Sequence, residues 1–247
     1  MGKKNRKSKK VSAIGKPFVS VCTPTHNRRI FIPMLIKNFL AQTYPLQCIE
    51  WIVVDDGTDP VGDLFKDVPN VKYFYEPEKM KLGRKRNYMH EKAKGDIIVY
   101  MDDDDYYPPD RIQHAVNSLC SRPNALCSGS SIIHIYFKDT KTIWEFGPYG
   151  PNHATAGTFA FKRELLEQTR YDDDADFAEE KQFLKNYTIP FIQLDPRKSI
   201  LCFAHAYNTC DKRKLIENYN PKYVRKTKLR TKNFMRNKEI AKFYENL

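Results

Sequence analysis

Four consecutive carboxylates, Asp102-Asp-Asp-Asp105, follow directly on the apolar run Ile97-Ile-Val-Tyr-Met101 and are closed off by Tyr106-Tyr-Pro-Pro109. Charges of one sign so close together repel, and the run costs stability unless a cation neutralises it. Carboxylate oxygens are hard ligands that suit Mg²⁺ or Mn²⁺. Such an ion keeps part of its water and is held by one or two carboxylates together with the phosphates of a ligand. The competing reading is a solvated acidic loop, but the run sits directly on the end of an apolar strand. Two more polar clusters end apolar runs in the same way: Thr23-Pro-Thr-His-Asn-Arg28 and Asp55-Asp-Gly-Thr58.

The elements that must position these clusters can be read from the apolar pattern. Strands are expected at residues 18–23, 49–54, 71–75 and 97–101. Helices are expected at residues 30–42, with Pro33 tolerated in the first turn, and 83–94, stopped by Gly95. Strand and helix in alternation imply a parallel sheet with helices on its faces, whose ligands bind at the carboxyl ends of the strands. All three polar clusters then converge on one edge. Beyond Pro108 the pattern changes. It predicts a helix at 109–120, a hairpin of strands 125–137 and 142–146 about Lys138-Asp-Thr140, and a strand at 155–161. A helix at 177–186, short strands near Phe191 and Ile200, and a basic helical stretch from Lys212 follow.

Composition bounds the class. The chain has 247 residues, 41% of them hydrophobic, with 15 Phe and 15 Tyr, enough for a substantial core and unlike a disordered chain. No run approaches the roughly 20 apolar residues of a membrane-spanning helix, and no apolar segment of a signal peptide follows the basic start. The six cysteines form no CxxC pair and none stands at zinc spacing from a histidine, which favours a reducing, cytoplasmic setting. The net charge of +12 is concentrated in residues 1–10 and 222–242. Such arms attract polyanions or an anionic membrane surface, or serve only to solubilise.

Four motifs in order, Val19-Ser-Val-Cys-Thr-Pro-Thr-His-Asn-Arg28, Val54-Asp-Asp-Gly-Thr58, Leu82-Gly-Arg-Lys-Arg-Asn87 and Gly95-Asp-Ile-Ile-Val-Tyr-Met-Asp-Asp-Asp-Asp105, resemble glycosyltransferase family 2. The resemblance is firm from about Val19 to Asp110 and looser to about Asn208. It implies an α/β fold of the GT-A type: a Rossmann-like, mostly parallel sheet flanked by helices, with a smaller mixed sheet on the acceptor side. It implies an inverting transferase with a nucleotide-sugar donor, UDP-linked by family frequency, and a divalent metal, Mn²⁺ or Mg²⁺. The acceptor would be a glycan, a protein or a lipid. The expected organisation is a basic tail at 1–16, a catalytic domain at 17–210 divided into a donor half (17–107) and an acceptor half (108–210), and a basic helical extension at 211–247.

Carried over residue by residue, the resemblance makes Asp104 the direct metal ligand and brings Asp102 to the metal or the ribose. It sets Asp103 and Asp105 near the donor. Thr23, Pro24, Thr25, Asn27 and Arg28 would line the nucleotide pocket, and Asp55 or Asp56 would read the base or ribose. Arg84, Arg86 and Asn87 would lie beside the donor, unless the latter two only dock the helix on the sheet. Inversion requires a general base for the acceptor hydroxyl. Where the family carries Glu-Asp this chain has Glu179-Glu180; Glu180 takes the base position, with Glu179 second and Asp176 third. Acidic residues that merely favour a helix N-terminus are the alternative. His205, late in the chain, is a candidate metal ligand or a structural histidine. His153 is a candidate acceptor contact, and Tyr106, Tyr107, Trp144 and Tyr149 are candidate stacking surfaces or core aromatics. Rival readings are a sugar-phosphate nucleotidyltransferase, for which Thr23 to Arg28 lacks the glycine-rich loop, a metal-dependent nuclease, and a nucleic-acid-binding protein acting through its basic tails. The last leaves the acidic run unexplained.

Overall fold

The computed structural model describes residues 15–176, 180–208 and 211–247. Strand β1 (Val19–Thr25), helix α1 (Ile32–Leu40), strands β2 (Ile49–Asp55) and β3 (Val71–Tyr75), helix α2 (Leu82–Lys92) and strand β4 (Ile97–Tyr100) form the first half. The second half runs α3 (Arg111–Ser121), β5 (Cys127–Gly129), β6 (Ile133–Phe137), β7 (Thr142–Phe146) and β8 (Ala160–Lys162). It continues through α4 (Glu180–Phe183), β9 (Phe191–Gln193), α5 (Pro196–Ser199), β10 (Cys202–Ala204), β11 (Val224–Lys226) and α6 (Lys238–Glu245). A seven-stranded sheet has the order β3-β2-β1-β4-β8-β5-β9, and a four-stranded sheet the order β10-β6-β7-β11.

β3, β2, β1 and β4 are parallel, and β8 joins β4 antiparallel. Every residue of β2 and β4 is buried, as expected for strands covered on both faces. On one face Trp51 stacks on Phe39 of α1 at 4.2 Å. On the other, Tyr100, Phe159, Phe161 and Phe183 pack together with Met89 of α2. The register sets Thr25 beside Asp55 and Cys22 beside Tyr100, so the polar clusters leave the sheet at one edge. α2 begins tight against the second half: a Cβ on Gly83 would come within 1.8 Å of the Asp172 carbonyl oxygen.

The second half departs from expectation in four places. The long strand 125–137 is divided: β5 belongs to the large sheet and β6 to the small one, and residues 130–132 cross between them. Local bonds hold that crossing, Ser130 Oγ donating to the Ile132 carbonyl at 2.6 Å and the Thr158 hydroxyl accepting the Ser130 N–H at 2.8 Å. The strand at 155–161 begins as a 3₁₀ turn, Ala156–Thr158, because the Thr158 hydroxyl bonds back to the Thr155 carbonyl at 2.6 Å. Within the helix expected at 177–186, α4 is helical and ends early, in left-handed backbone at Lys185, Asn186 and Tyr187. Residues 177–179 lie outside the described set. The C-terminal stretch is helical only in part. β11 adds an edge strand to the small sheet, with α6 after it, and the Tyr244 ring stacks on Phe203 at 4.4 Å. The hairpin about residues 138–141 forms as read. No helix among the described residues is long and apolar enough to cross a membrane, and Cys22, Cys48, Cys120, Cys127 and Cys202 are all free thiols.

Candidate functional site

A cleft of about 740 Å³ opens at the carboxyl ends of β1 and β4. Asp102, Asp103 and Asp104 form one wall, Pro24, Thr25, His26 and Arg28 a second, and the segment from Lys79 through Arg86 a third; Asp176 and Tyr207 complete the rim. Cationic and anionic side chains thus face each other across a space large enough for a small ligand.

The four aspartates do not share one environment. Asp103 and Asp105 are buried, while the Asp102 side chain stays 26% exposed. Burial pushes Asp103 well above the usual carboxylate range, and Asp104 adds to it while Arg28 opposes. Burial also raises Asp102, against the pull of Arg86. Asp105 is pushed up to about 7 by burial in spite of Lys212. Asp104 alone is held below the usual range: burial opposes its charge, but a hydrogen bond from His205 and the charges of Lys212 and Arg28 outweigh that. Its Oδ2 lies 3.4 Å from His205 Nε2, 3.9 Å from Arg28 Nη2 and 3.3 Å from Asn208 Nδ2. Asp104 is the one member of the run whose surroundings favour the charged form.

His205 is oriented for this role. The Tyr207 N–H donates to its Nδ1 at 3.2 Å, which leaves Nε2 toward Asp104. Its ring packs 4.9 Å from Phe31. Among the described residues no three His, Cys, Asp or Glu side chains converge on one point. The donor chemistry nevertheless fits a hard divalent ion shared with phosphates. Asp104 presents a carboxylate oxygen, and Asp102 Oδ1 is buried without a hydrogen-bond partner. His205 Nε2, which in a neutral ring carries the proton while Nδ1 accepts the Tyr207 N–H, would be free for an ion only in the other tautomer, which gives up that contact.

Several residues expected at the cleft are engaged elsewhere. Thr23 is fully buried; its hydroxyl donates to the Met101 carbonyl at 2.7 Å and accepts Trp51 Nε1–H at 2.9 Å, which ties β1 to β2 and β4 and removes it from the lining. Asp55 accepts from the Gly57 N–H at 2.9 Å, the Val61 N–H at 3.0 Å and the Tyr73 hydroxyl at 2.6 Å, so it shapes the turn and is not among the residues that line the cleft. Asp56 pairs with Lys85, lies 2.9 Å from His26 Nδ1 and accepts the Met80 N–H at 2.7 Å. It holds three cleft-lining residues without lining the cleft itself. Asn27, in left-handed backbone, accepts from Thr58 Oγ1 and the Asp59 N–H. Arg84 points out to Asp173 at 3.6 Å, and Asn87 bonds Tyr171 and Asp173, so both fasten α2 to the second half. Asp105 faces away from the cleft, accepting the Phe203 N–H at 3.2 Å beside Lys212 at 3.7 Å. Pro24, Thr25, Arg28, Arg86, Asp102, Asp103, Asp104 and His205 are brought together.

Lys85, His26 and Lys212 were not singled out by the sequence. Burial pulls the Lys85 ammonium below its ordinary range although Asp56 opposes it, and its Nζ donates to the Thr25 carbonyl at 3.0 Å. Lys212, inside the basic C-terminal run, donates to the Phe203 carbonyl at 3.1 Å. Burial opposes its charge, but Asp105, Asp104 and Asp102 hold it protonated well above the ordinary range. Lys85 could have been found as the residue between two named arginines on α2; nothing distinguishes Lys212 from its basic neighbours by type.

Glu180 opens α4 and accepts the Ala156 N–H at 3.0 Å. The next residue, Gly157, lies against Asp102: a Cβ there would come within 2.7 Å of Asp102 Oδ2. One 3₁₀ turn therefore touches both the carboxylate at the end of β4 and Glu180. Asp176 is paired with Lys81 at the rim. Glu179 lies outside the described residues. Of the candidate stacking surfaces, Tyr106 and Tyr107 are buried, Trp144 packs on Tyr219 at 5.1 Å, and Tyr149 is exposed.

Comparison with known proteins bears on the family and the fold. The family described as glycosyl transferase family 2 matches residues 20–170. An uncharacterised glycosyltransferase of Haemophilus influenzae is 29% identical over 119 residues, 46% of this chain and 47% of that protein. A glucosyl-dolichyl phosphate glucuronosyltransferase of Haloferax volcanii is 30% identical over 122 residues, 48% of this chain and 38% of that one. The chain spans less than half the length of these curated relatives. Among solved structures, a mannosyltransferase from Pyrobaculum calidifontis in complex with GDP-Man and Mn²⁺ superposes with TM-score 0.63 at 20% identity, over 78% of this chain and 59% of that one. S. aureus TarS 1-349 in complex with UDP-GlcNAc gives 0.58 at 19%, over 77% and 59%. At these identities the likeness establishes the fold, which is of the GT-A type. With the family matched over residues 20–170, the chain belongs to glycosyl transferase family 2.

Proposed function

We propose that the protein transfers a sugar from a nucleotide-diphosphate sugar, a UDP-sugar in the first instance, to an acceptor hydroxyl with inversion. The observation that carries this reading is the meeting of Asp104, His205 and Arg28 in the cleft at the carboxyl ends of β1 and β4. Asp104 and His205, with Asp102, would hold Mn²⁺ or Mg²⁺, which when bound offsets the charge of the departing nucleoside diphosphate. Arg28, Lys85 and Arg86 give the other two walls positive charge, which favours a diphosphate. Glu180 takes the proton of the acceptor hydroxyl. The acceptor oxygen forms its bond to the anomeric carbon from the face opposite the phosphate, and the bond from that carbon to the phosphate oxygen breaks, releasing the nucleoside diphosphate.

The division into a donor half at 17–107 and an acceptor half at 108–210 fits this chemistry. The first supplies the aspartates and α2; the second supplies Glu180 and His205. Residues 211–247 are more than a tail, since Lys212 and Tyr244 reach the acidic run. The free cysteines suit a cytoplasmic setting. A glycan, protein or lipid acceptor and contact of the basic segments with a polyanion or a membrane surface complete the reading. Calorimetric binding of UDP, GDP and dTDP, each with Mn²⁺ and with chelator, tests it. Metal-dependent binding of one nucleotide is expected and names the donor class. Absence of binding by all three overturns the donor site and favours a polyanion-binding protein.

A further inference from the structure

A second cavity, of about 520 Å³, opens where the chain crosses from the large sheet to the small one. Ser130, Ser131 and Ile132 form its floor, the turn at residues 148–151 one wall, and Tyr223, just before β11, another. The Tyr149 and Tyr223 rings lie 5.3 Å apart and 31° from parallel, and Tyr149 is 47% exposed. The turn that carries Tyr149 is fixed. Ser131 Oγ accepts its N–H at 2.8 Å, and Gln193 Nε2 donates to the carbonyls of Pro151 and His153, both at 2.8 Å. The aromatic faces are therefore preorganised, so binding there loses little conformational freedom.

The cavity is joined to the proposed base. The Tyr149 ring is 5.1 Å from His153, and His153 is 5.5 Å from Tyr187. Glu180 bears electrostatically on both His153 and Tyr187. The same backbone segment continues to Ala156, whose N–H is bonded to Glu180. Four rings in series, Tyr223, Tyr149, His153 and Tyr187, thus run from an open cavity, and the chain that carries His153 goes on to the Ala156 N–H that Glu180 accepts.

We propose that this cavity is the subsite for a saccharide acceptor, in which a hexopyranose ring lies on the Tyr149–Tyr223 pair and the acceptor chain follows the ring row to Glu180. A pyranose has an apolar C–H face and a polar edge. Tyrosine rings match the face, and the hydroxyls of the same tyrosines can meet the edge. A polyprenyl tail would call for a closed channel, whereas this cavity is open. The acceptor role rests on the transferase reading above; the binding chemistry does not.

Saturation-transfer NMR on the full chain, with methyl hexopyranosides of glucose, galactose, mannose and N-acetylglucosamine and with octyl glucoside as probes, tests the subsite. Transfer to the ring protons of at least one methyl hexoside is expected. Tyr149→Ala and Tyr223→Ala should each weaken it roughly fivefold to tenfold, and Tyr149→Trp should retain it. Binding of nucleotide with Mn²⁺ should be the same in all three variants, which also shows that they fold. No transfer to any methyl hexoside, an unchanged signal in both alanine variants, or transfer confined to the octyl chain overturns the proposal. Saccharide binding without nucleotide binding would keep the subsite and remove the transferase reading, so the two fail separately.

Discussion

Asp55-Asp56 and Asp102-Asp103-Asp104 are the same residue type at the ends of strands in one parallel sheet, yet they are built for opposite purposes. Asp55 and Asp56 have their oxygens occupied by main-chain N–H groups, a tyrosine hydroxyl, a lysine and a histidine. Their charge is spent inside the protein. The second run is short of hydrogen bonds. Its ion pairs are long, 3.4 to 4.0 Å, and Asp102 Oδ1 is buried without a hydrogen bond. Saturation marks a structural carboxylate, and its absence in a buried place marks one held for a ligand.

The comparison can be broken at several points. The largest effect is expected from Glu180→Gln, which should lower the turnover number on the order of a thousandfold and leave nucleotide affinity unchanged. Normal turnover would move the base to Glu179 or Asp176. Asp104→Ala should lower Mn²⁺-dependent nucleotide affinity by about a hundredfold or more, read by calorimetry, with the circular dichroism spectrum retained. Equal affinity in variant and parent would end its assignment as ligand. Asp55→Asn should do the reverse. It should lower the unfolding free energy in urea by about 3 kcal/mol through the loss of charged hydrogen bonds, while nucleotide affinity of the folded protein changes by no more than about threefold. A stable Asp55→Asn that no longer binds nucleotide would erase the distinction. The smallest effect is expected from Gly157→Ala, whose new methyl group must displace the Asp102 carboxylate. Turnover should fall roughly tenfold, with a stability change of about 1 kcal/mol or less. A fully active variant would show that Asp102 need not be held where it is.

The parallel half was legible because two-sided burial leaves long apolar runs that end at the polar clusters, and both the strands and the edge they share could be read from them. Which carboxylate of each cluster would be free was not legible. Asp55 and Asp104 each stand in a run of aspartates at the end of a strand; the difference is made by Tyr73 and Val61 in one case and by His205 and Arg28 in the other. The second half was less legible because its strands are three to five residues long and change sheets within a single apolar stretch, as at 130–132. Lys212 shows the limit most plainly. A lysine among lysines gives no sign in the sequence that the fold will bury it against the acidic run.

The 3₁₀ turn at Ala156–Thr158 acts as a ruler. With its first N–H on Glu180 and its glycine against Asp102, it fixes the distance between these two carboxylates by the pitch of three residues, and on the reading proposed above it would set the gap between acceptor and donor. One residue added there would lengthen the ruler by about 2 Å, more than a reacting oxygen can tolerate. An enzyme so altered would still load its donor but would hand the sugar to water as readily as to its acceptor.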